Sequence, residues 1–284
     1  MTDAPTVRQV LHDAVDHLQE AGVDTPTLDA EVMLSKASGL SRIKFIAHPE
    51  FQPSQDVIDK FTNWVERRSR REPLPYITGE REFYALTFEV TPAVLIPRQD
   101  TEILVESIIN LLKDKPSPII ADLGLGSGAI AVSIAKSLPD SFVYGTEFSH
   151  DALEVARRNA ERIGVGDRVR FLQGDLFEPL NGMRFDAIVS NPPYIPSGDI
   201  DDLQPEVAKY EPRGALDGGP DGLNYYRRIA HDAPGYLKPG GILAVEIGLG
   251  QAPTVEDLFE SNGFHDVRSI PDYNKIERVV LGIF

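Results

Sequence analysis

The residues best suited to chemistry are Asn191-Pro192-Pro193-Tyr194, which directly follow the apolar run Phe185–Ser190. The Asn191 side-chain oxygen and the Pro192 carbonyl oxygen are hydrogen-bond acceptors, and the two prolines stiffen the turn. Two acceptors on the hydrogens of a planar amide or amino nitrogen orient that nitrogen and favour its pyramidal, nucleophilic form. The Tyr194 ring can lie against the planar group and a cationic methyl donor. Together with the upstream cofactor-type segments described next, the motif predicts methyl transfer to such a nitrogen, with Asn191, Pro192 and Tyr194 catalytic and Pro193 completing the substrate-binding loop.

A glycine-rich segment lies upstream, at the junction of a predicted strand with a predicted helix. Glycine permits positive φ there and lets a ligand approach the backbone closely. The free amides of the helix N-terminus favour a negatively charged group such as a carboxylate or phosphate. The spacing also fits the dinucleotide pattern G-x-G-x-x-A, so the segment alone does not select one cofactor. The cofactor-binding residues predicted in it are Gly124, Leu125, Gly126, Ser127 and Gly128.

Two acidic residues follow the next two predicted strands. Glu147 can accept hydrogen bonds from both hydroxyls of a ribose. Asp175 can accept one from the exocyclic amine of adenine, with Leu176 beside the ring. Either acid alone is equally typical of an ordinary loop, and the proline motif alone is typical of a rigid turn. Because the carboxyl ends of parallel strands share one edge, the glycine segment, the two acids and the Asn191 loop are expected to border one crevice, where Asn191 would contact the cofactor as well as the target.

The hydrophobic pattern divides the chain into three parts. Residues 1–75 carry apolar residues at helical spacing, which predicts a small helical domain. Residues 76–97 are rich in β-branched and aromatic residues, which predicts a β-hairpin linker. Residues 98–284 alternate apolar strands with helices, which predicts a Rossmann-like α/β domain whose mainly parallel sheet is covered on both faces. The last two strands, at 264–270 and 276–283, are too close for a helical crossover, so one should run antiparallel.

The composition narrows the classes of function. The chain has 284 residues, 42% of them hydrophobic, and a formal net charge of -16, which disfavours direct binding of nucleic-acid phosphates. There is no cysteine, which excludes disulfides, thiolate zinc sites and cysteine nucleophiles; the histidines are scattered, and no metal site is predicted. The first residues lack the basic and then apolar pattern of a signal peptide, and no apolar run reaches membrane-spanning length. We therefore expect a cytoplasmic protein, a monomer without membrane contact.

Two segments have alternative interpretations. The fourth predicted helix ends in an arginine cluster, which suits a solvated helix C-terminus or else a contact patch for an acidic partner. The cluster consists of Arg67, Arg68, Arg70 and Arg71. Residues 197–222 form a proline- and glycine-rich insertion after the Asn191 loop, which is typical either of a lid or of a docking surface.

Beyond these motifs, nearly the whole chain resembles the bacterial protein-(glutamine-N5) methyltransferases that modify peptide-chain release factors. The Ile96-Pro97-Arg98 and Asp100-Thr101-Glu102 pair is the most specific match, because Asn-Pro-Pro-Tyr also occurs in adenine-amino DNA methyltransferases. The other matching segments are Glu72 to Ile77, Gly79 to Phe83, the glycine segment, Asn191 to Tyr194, Glu211-Pro212, Ala215-Leu216, Gly218-Gly219 and Asp221 to Leu223.

The resemblance implies a class I methyltransferase fold with a seven-stranded sheet, preceded by a helical domain that docks the substrate protein. The implied cofactor is S-adenosyl-L-methionine, with the glycine segment at its methionine end, Glu147 at the ribose, and Asp175 with Leu176 at the adenine. The implied partner is a class 1 release factor, whose Gly-Gly-Gln glutamine would lie against Asn191 to Tyr194. The implied role is in translation termination.

The sequence departs from the family pattern at Leu125, Gln99, Glu147 and Asn274-Lys275, none of which removes a group that the chemistry needs. Three alternatives remain at this point. An adenine-amino DNA methyltransferase would use the same loop but should carry a basic domain for base recognition. A dinucleotide-dependent oxidoreductase would leave the Asn191 loop without a role. A binding module that merely retains the fold would not bind S-adenosylmethionine.

Overall fold

The computed structural model describes residues 4–284. Internal contacts divide the chain into two compact units. One unit contains the chain up to Gly79 together with Gln204–Tyr210, and the other contains Glu80–Leu203 and Glu211–Phe284. The domain boundaries placed after residues 75 and 97 stay predictions about independently folding parts.

The described residues form eleven α-helices and nine strands, besides short 3-10 turns. None of these helices is long and apolar enough to cross a membrane. The helices are α1 (Val7–Glu20), α2 (Pro26–Ser38), α3 (Arg42–Ala47), α4 (Gln55–Ser69), α5 (Leu74–Thr78), α6 (Glu102–Leu112), α7 (Ala129–Ser137), α8 (His150–Ile163), α9 (Pro205–Tyr210), α10 (Asn224–Asp232) and α11 (Ala252–Ser261). The strands are β1 (Glu80–Phe83), β2 (Leu86–Glu89), β3 (Ile119–Leu123), β4 (Phe142–Glu147), β5 (Val169–Gln173), β6 (Phe185–Ser190), β7 (Leu237–Glu246), β8 (His265–Pro271) and β9 (Glu277–Ile283).

The first unit is helical, as its apolar spacing predicts. Thr6 and Gln9 form a capping box that satisfies amide groups at the start of α1. Helix α2 begins with proline at its first position and ends at Gly39 in the left-handed conformation, with φ of 71°. The apolar faces of α1, α2 and α4 meet in a core that includes Leu18, Met33 and Phe61.

The second unit contains a seven-stranded sheet in the order β5-β4-β3-β6-β7-β9-β8. Strands β5, β4, β3, β6 and β7 are parallel, and β9 runs antiparallel to both of its neighbours. The predictions of a seven-stranded, mainly parallel sheet and of one antiparallel strand at its end are therefore confirmed. From β3 the strand order runs outward in both directions, and a crevice opens at the carboxyl ends of the strands at such a switch point.

Hydrophobic cores cover both faces of the sheet. Side chains alternate between the faces of a strand, and in β6 Ala187 and Val189 join the core beneath α6, α7 and α8. Ile188, on the opposite face, joins the core beneath α10 and α11, where Tyr226 is fully buried. Because β6 is buried on both faces, its position is firmly set, and the Asn191 loop leaves the sheet from a rigid base.

Two local features differ from the sequence-based expectations. Residues 102–112, for which no element was predicted, form α6, whose apolar side chains, including Leu104 and Ile108, pack into the sheet core. Glu102, Glu106 and Asn110 recur at every fourth position and form its polar side, so the pattern of a helix packed by one face is present in the sequence. The hairpin is shorter than the predicted linker, since β1 and β2 span only residues 80–89 and α5 precedes them.

Candidate functional site

A cavity of about 520 Å³ lies in the second unit, at the carboxyl ends of β3, β4, β5 and β6. This volume is within the usual range of small-molecule sites, about 300–1,000 Å³. The predicted site residues that line it are Gly124, Leu125, Gly126, Ser127, Glu147, Asp175, Leu176, Asn191 and Pro193. Gly128, Pro192 and Tyr194 are not among the lining residues, although each adjoins one that is. The fold thus brings the four predicted motifs around one cavity.

The glycine segment forms the turn from β3 into α7. Gly124 and Gly126 have φ of 76° and 54°, in the left-handed region, and a Cβ added to either would meet no protein atom within 4 Å. They therefore present bare backbone to the cavity. Gly128 also has positive φ, but its added Cβ would lie 3.2 Å from the Cβ of Ala156. This third glycine allows α7 and α8 to pack closely.

Glu147, at the end of β4, is attached to the glycine segment. Its Oε2 accepts a hydrogen bond from the Gly126 amide at 2.9 Å, and its Oε1 accepts one from the Ser149 amide at 2.9 Å. Each carboxylate oxygen can accept more than one hydrogen bond. The carboxylate therefore orients the loop and still has acceptor capacity for a ligand's hydroxyl groups.

Asp175 lies at the opposite end of the cavity, where it pairs with Arg228. The Arg228 Nη2 donates to the Asp175 Oδ2 at 2.6 Å. Arg228 and Tyr225 both line the cavity and are on α10. Sequence reasoning missed both residues, and the only available signal was their spacing of three along a helix, which places them on one side.

Leu125, the departure from the family pattern in the glycine segment, packs against β4. A Cβ on Gly145 would lie 2.5 Å from the Leu125 Cδ1, so this leucine fills space that the glycine leaves open. Leu125 is 4% exposed and belongs to the sheet core. Its side chain thus supports the loop, and the residue also lines the cavity.

In the Asn191 loop, Asn191 and Tyr194 have different environments. Asn191 Nδ2 donates to the hydroxyl of Thr101, which also lines the cavity, at 3.2 Å. The Tyr194 carbonyl accepts from Gln251 Nε2 at 3.1 Å, and its ring edge would be 3.0 Å from a Cβ on Gly248. Burial, with the nearby Glu246 charge, raises the pKa of Tyr194 to about 12. The phenol is therefore protonated at neutral pH.

Two buried acids lie beneath these loops. Glu246, at the end of β7, is 3% exposed, burial raises its pKa to about 7, and its Oε2 has no hydrogen-bond partner among the described residues. Asp122, at the end of β3, is fully buried and accepts from the Ala131 amide at 3.0 Å. Burial, together with the Glu147 charge, raises its pKa to about 8. Sequence reasoning gave neither acid a role, although an acid at the end of an apolar strand was a visible signal.

The insertion at residues 197–222 contributes one wall of the cavity. Pro212, Gly214 and Ala215 line it. Before them, the buried carboxylate of Glu211 forms an ion pair with Arg98, and burial raises the pKa of Glu211. After them, the Asp217 Oδ1 accepts hydrogen bonds from the Ser197 hydroxyl and the Gly219 amide. This part of the insertion is therefore held in place, and motion as a lid stays a prediction.

The arginine cluster is mostly occupied by ion pairs within the helical unit. Arg68 is buried, and it pairs with Asp29 at 2.7 Å and with Glu206 of α9 at 2.9 Å. Arg71 also binds Glu206, at 2.6 Å. Arg67 pairs with Glu72, whereas Arg70, whose side chain is 70% exposed, pairs only along its own helix with Glu66. The interpretation as a solvated helix end therefore fits Arg70, whereas the Arg68 side chain is buried within the helical unit.

In the part of the chain from residue 4 onward, no group of three or more acids and histidines is placed to hold a metal ion.

Comparison with known proteins shows the family. The family models that match are described as "PrmC N-terminal domain", over residues 9–79, and "Methyltransferase small domain", over residues 99–204. A release factor glutamine methyltransferase from Geobacter sulfurreducens is 48% identical over 285 residues, 99% of each chain. One from Moorella thermoacetica is 47% identical and covers 97% of this chain and 98% of its own. These names support the resemblance seen in the sequence and give no support to the DNA-adenine alternative.

Solved structures agree with the fold at low identity. The hMettl16 catalytic domain in complex with MAT2A 3'UTR hairpin 1 has a TM-score of 0.59 and 12% identity, over 88% of this chain and 90% of its own. A methyltransferase from Pyrococcus furiosus has a TM-score of 0.50 and 21% identity, over 70% of this chain and 88% of its own. These likenesses show a class I methyltransferase fold. Taken with the sequence identities, they leave one conclusion: this chain belongs to the release factor glutamine methyltransferase family.

Proposed function

We propose that the protein transfers a methyl group from S-adenosyl-L-methionine to the side-chain amide nitrogen, N5, of the glutamine in the Gly-Gly-Gln motif of class 1 peptide-chain release factors, and so acts on translation termination. The observation that carries this proposal is the position of Asn191 and Pro193 on the wall of the cavity that the glycine segment also lines. The names of relatives 48% and 47% identical to this chain supply the substrate class.

The cavity suits this cofactor at each end. Bare backbone at Gly124 and Gly126 leaves room for the methionine part, and Glu147 retains acceptor capacity for the ribose hydroxyls. Asp175 is already paired with Arg228 through one oxygen, so its other oxygen is the one available to an adenine amine. In the proposal Leu125, Ser127, Leu176 and Asn191 complete the contact surface, and Gly128 contributes through the close packing of α7 on α8.

The Asn191 loop would then prepare the nucleophile. An amide nitrogen is a poor nucleophile because its lone pair is delocalised into the carbonyl. The Asn191 Oδ1 and the Pro192 carbonyl would accept its two hydrogens, orient the nitrogen and favour pyramidal geometry. The bound cofactor supplies an electrophilic methyl on its sulfonium, and the remaining contribution is proximity and alignment. The surplus proton on the alkylated nitrogen leaves through one of these hydrogen bonds toward solvent.

Tyr194 would act through its ring. Its phenol has a pKa of about 12, so it is not a base at neutral pH. The ring supports the loop beside Asn191, and in the proposal its face lies toward the planar amide. Pro193 completes the wall on which that amide rests.

The test is transfer of a labelled methyl group from S-adenosylmethionine to a purified class 1 release factor. A release factor with the Gly-Gly-Gln glutamine replaced and an Asn191→Ala enzyme would run in parallel. We expect transfer that requires both the glutamine and Asn191. Transfer to DNA adenine, or to the release factor that lacks the glutamine, would contradict the proposed acceptor while leaving the methyltransferase family intact.

A further inference from the structure

The orientation of the Asn191 side chain matters because its two ends are chemically opposite. The oxygen accepts hydrogen bonds and the NH₂ donates them, although the two ends have nearly the same shape. The role proposed above requires the oxygen, and not the NH₂, to face the cavity. A rotation of the amide by half a turn would present two hydrogens to a substrate nitrogen that also carries two. Some neighbouring group must therefore select one orientation.

Thr101 is the first selecting neighbour. Asn191 Nδ2 lies 3.2 Å from the Thr101 Oγ1, and Thr101 is 4% exposed. A hydroxyl can either donate or accept along this contact, so Thr101 selects the nitrogen end of Asn191 only when its own hydrogen is directed elsewhere. That hydrogen needs an acceptor on the protein side of the loop.

Glu246 supplies that acceptor. Its carboxyl group is buried at the end of β7, next to the end of β6 from which the Asn191 loop leaves, and its Oε2 has no hydrogen-bond partner among the described residues. An ionised carboxylate can only accept. It therefore takes the Thr101 hydrogen, which leaves the Thr101 oxygen to accept from Asn191. Asn191 Nδ2 is then held by the Thr101 oxygen on the protein side, and Oδ1 is left for the cavity that Asn191 lines.

We propose that Glu246 and Thr101 are positioning residues that hold the Asn191 amide with its oxygen toward the acceptor nitrogen, an inference that rests on the function proposed above. Neither residue needs to touch the substrate through its carboxylate or hydroxyl. In the ionised state of Glu246, the chain of donors runs from Asn191 to Thr101 to Glu246. When Glu246 is protonated it can donate to Thr101, Thr101 can donate to the Asn191 oxygen, and the amide can reverse.

The charged groups around Glu246 influence the pH at which this change occurs. Asp100, in the turn before α6, raises its pKa, while Arg278 on β9 lowers it and forms an ion pair with Asp100 at 3.0 Å. Tyr194 is the nearby phenol of the loop, and Tyr226 on α10 donates to the backbone carbonyl of Glu246 at 3.0 Å. Burial outweighs these effects, so the group titrates near neutral pH, at about 7.

The experiment compares variants in the labelled-methyl assay, with cofactor affinity measured by calorimetry. Thr101→Val removes the hydroxyl at nearly constant shape, and Thr101→Ser keeps it. Ser133→Ala is the matched control, since it deletes a buried hydroxyl without a partner on α7, outside the site. We expect Thr101→Val to lower kcat by about 10- to 100-fold, the scale of a misplaced reacting group. Thr101→Ser and Ser133→Ala should stay within about threefold, and cofactor affinity should be unchanged throughout.

The pH profile separates a positioning role from a merely structural one. Wild-type kcat should fall as pH drops through about 7, the pKa of Glu246. Glu246→Gln should have a lower kcat and lack this acid limb, because glutamine does not titrate. If Thr101→Val has the same kcat as the wild type, or if the acid limb persists in Glu246→Gln, the proposal is overturned.

A measurement that needs no methyl-acceptor substrate distinguishes failure of the positioning role from failure of the proposed function. The side-chain amide ¹⁵N–¹H signals of Asn191, assigned by their loss in Asn191→Ala, should shift with pH in the cofactor-bound enzyme, with a midpoint near 7. The shift should be absent in Glu246→Gln. If the wild type methylates no release factor and this titration is present, the proposed function fails while the positioning role stands. A signal that does not change with pH overturns the positioning role whatever the acceptor is.

Discussion

The two halves of the cavity are built differently. The half around Gly124 and Gly126 is mostly backbone, held by the fold itself and by one carboxylate, Glu147. The half around Asn191 depends on side chains that approach from distant parts of the sequence, including Thr101 and Glu246. A backbone cradle suits a constant ligand, whereas an assembly of side chains suits a chemical step that needs one orientation. The two halves should therefore fail in different ways when they are altered.

The largest expected effect is on the half around Asn191, the target half, as opposed to the backbone half around Gly124 and Gly126. Asn191→Ala removes one of the two acceptors for the amide hydrogens, and we expect kcat to fall by about 10²- to 10³-fold, as when one positioned hydrogen-bonding group is removed from other active sites. The backbone half remains, so the calorimetric affinity for S-adenosylmethionine should change by less than about threefold, because one side-chain contact is a small share of such a site. A similar loss in both quantities would contradict the division between the halves.

The next largest effect is expected on the pH dependence of stability. It comes from the two buried acids, Asp122 under the backbone half and Glu246 under the target half. The pKa of Asp122 is raised in the folded protein to about 8, so folding favours its protonated form. Its contribution to stability is therefore fully present below the unfolded pKa, near 3.8, and is lost as pH rises toward 8. The slope is at most about 1.4 kcal/mol per pH unit.

Urea unfolding at pH 5 and pH 8.5 measures this effect. Asp122→Asn cannot ionise and should lose less stability than the wild type between these values. The same comparison for Glu246→Gln should show a smaller difference, because the pKa of Glu246 is raised only to about 7. Equal pH dependence of wild type and Asp122→Asn would show that Asp122 is not protonated in the folded protein.

The backbone half is tested by matched glycine substitutions. Gly126→Ala and Gly164→Ala both place a Cβ at a positive-φ position with no protein atom within 4 Å, but only Gly126 lines the cavity. Each should cost about 1 kcal/mol of stability through backbone strain. Only Gly126→Ala should also weaken S-adenosylmethionine binding, by about tenfold, through crowding of a close backbone approach.

Calorimetric Kd values and thermal unfolding for the two glycine variants make the comparison direct. If Gly164→Ala loses as much cofactor affinity as Gly126→Ala, the effect is general destabilisation, and the cradle is not the contact surface.

The same division explains how much could be predicted from the sequence. The backbone half is local, since a strand, a glycine turn and a helix N-terminus are adjacent in the chain, and the prediction placed Gly124, Gly126, Glu147 and Asp175 around what proved to be one cavity. The mainly parallel sheet followed from the alternation of strands with helices, and the seven-stranded methyltransferase sheet was implied by the family resemblance. What escaped prediction is non-local: Thr101 precedes Asn191 by 90 positions and Arg228 follows Asp175 by 53.

Local patterns are ambiguous where two causes share one residue type. Gly128 has positive φ like its neighbours, yet its added Cβ meets Ala156, so packing of two helices accounts for it as much as a ligand does. Leu125, a departure from the family pattern, fills the space that Gly145 leaves open. The arginine cluster forms one feature in the sequence, but Arg68 is buried between two carboxylates while Arg70 is exposed. Burial, which composition does not reveal, separates the members of each group.

The smallest expected effect sharpens the role of the tyrosine in the target half. Tyr194→Phe removes the phenol oxygen and keeps the ring. Because its pKa is about 12, the phenol is not a base at neutral pH, so kcat should change by less than about threefold between pH 7 and 9. Tyr194→Ala removes the ring that supports the loop beside Gly248 and should lower kcat much further. A loss of about 10²-fold or more in Tyr194→Phe, the scale of general acid–base catalysis, would instead assign the phenol a proton-transfer role. The target half would then depend on a titrating group in direct contact with the acceptor as well as on the fixed orientation of Asn191.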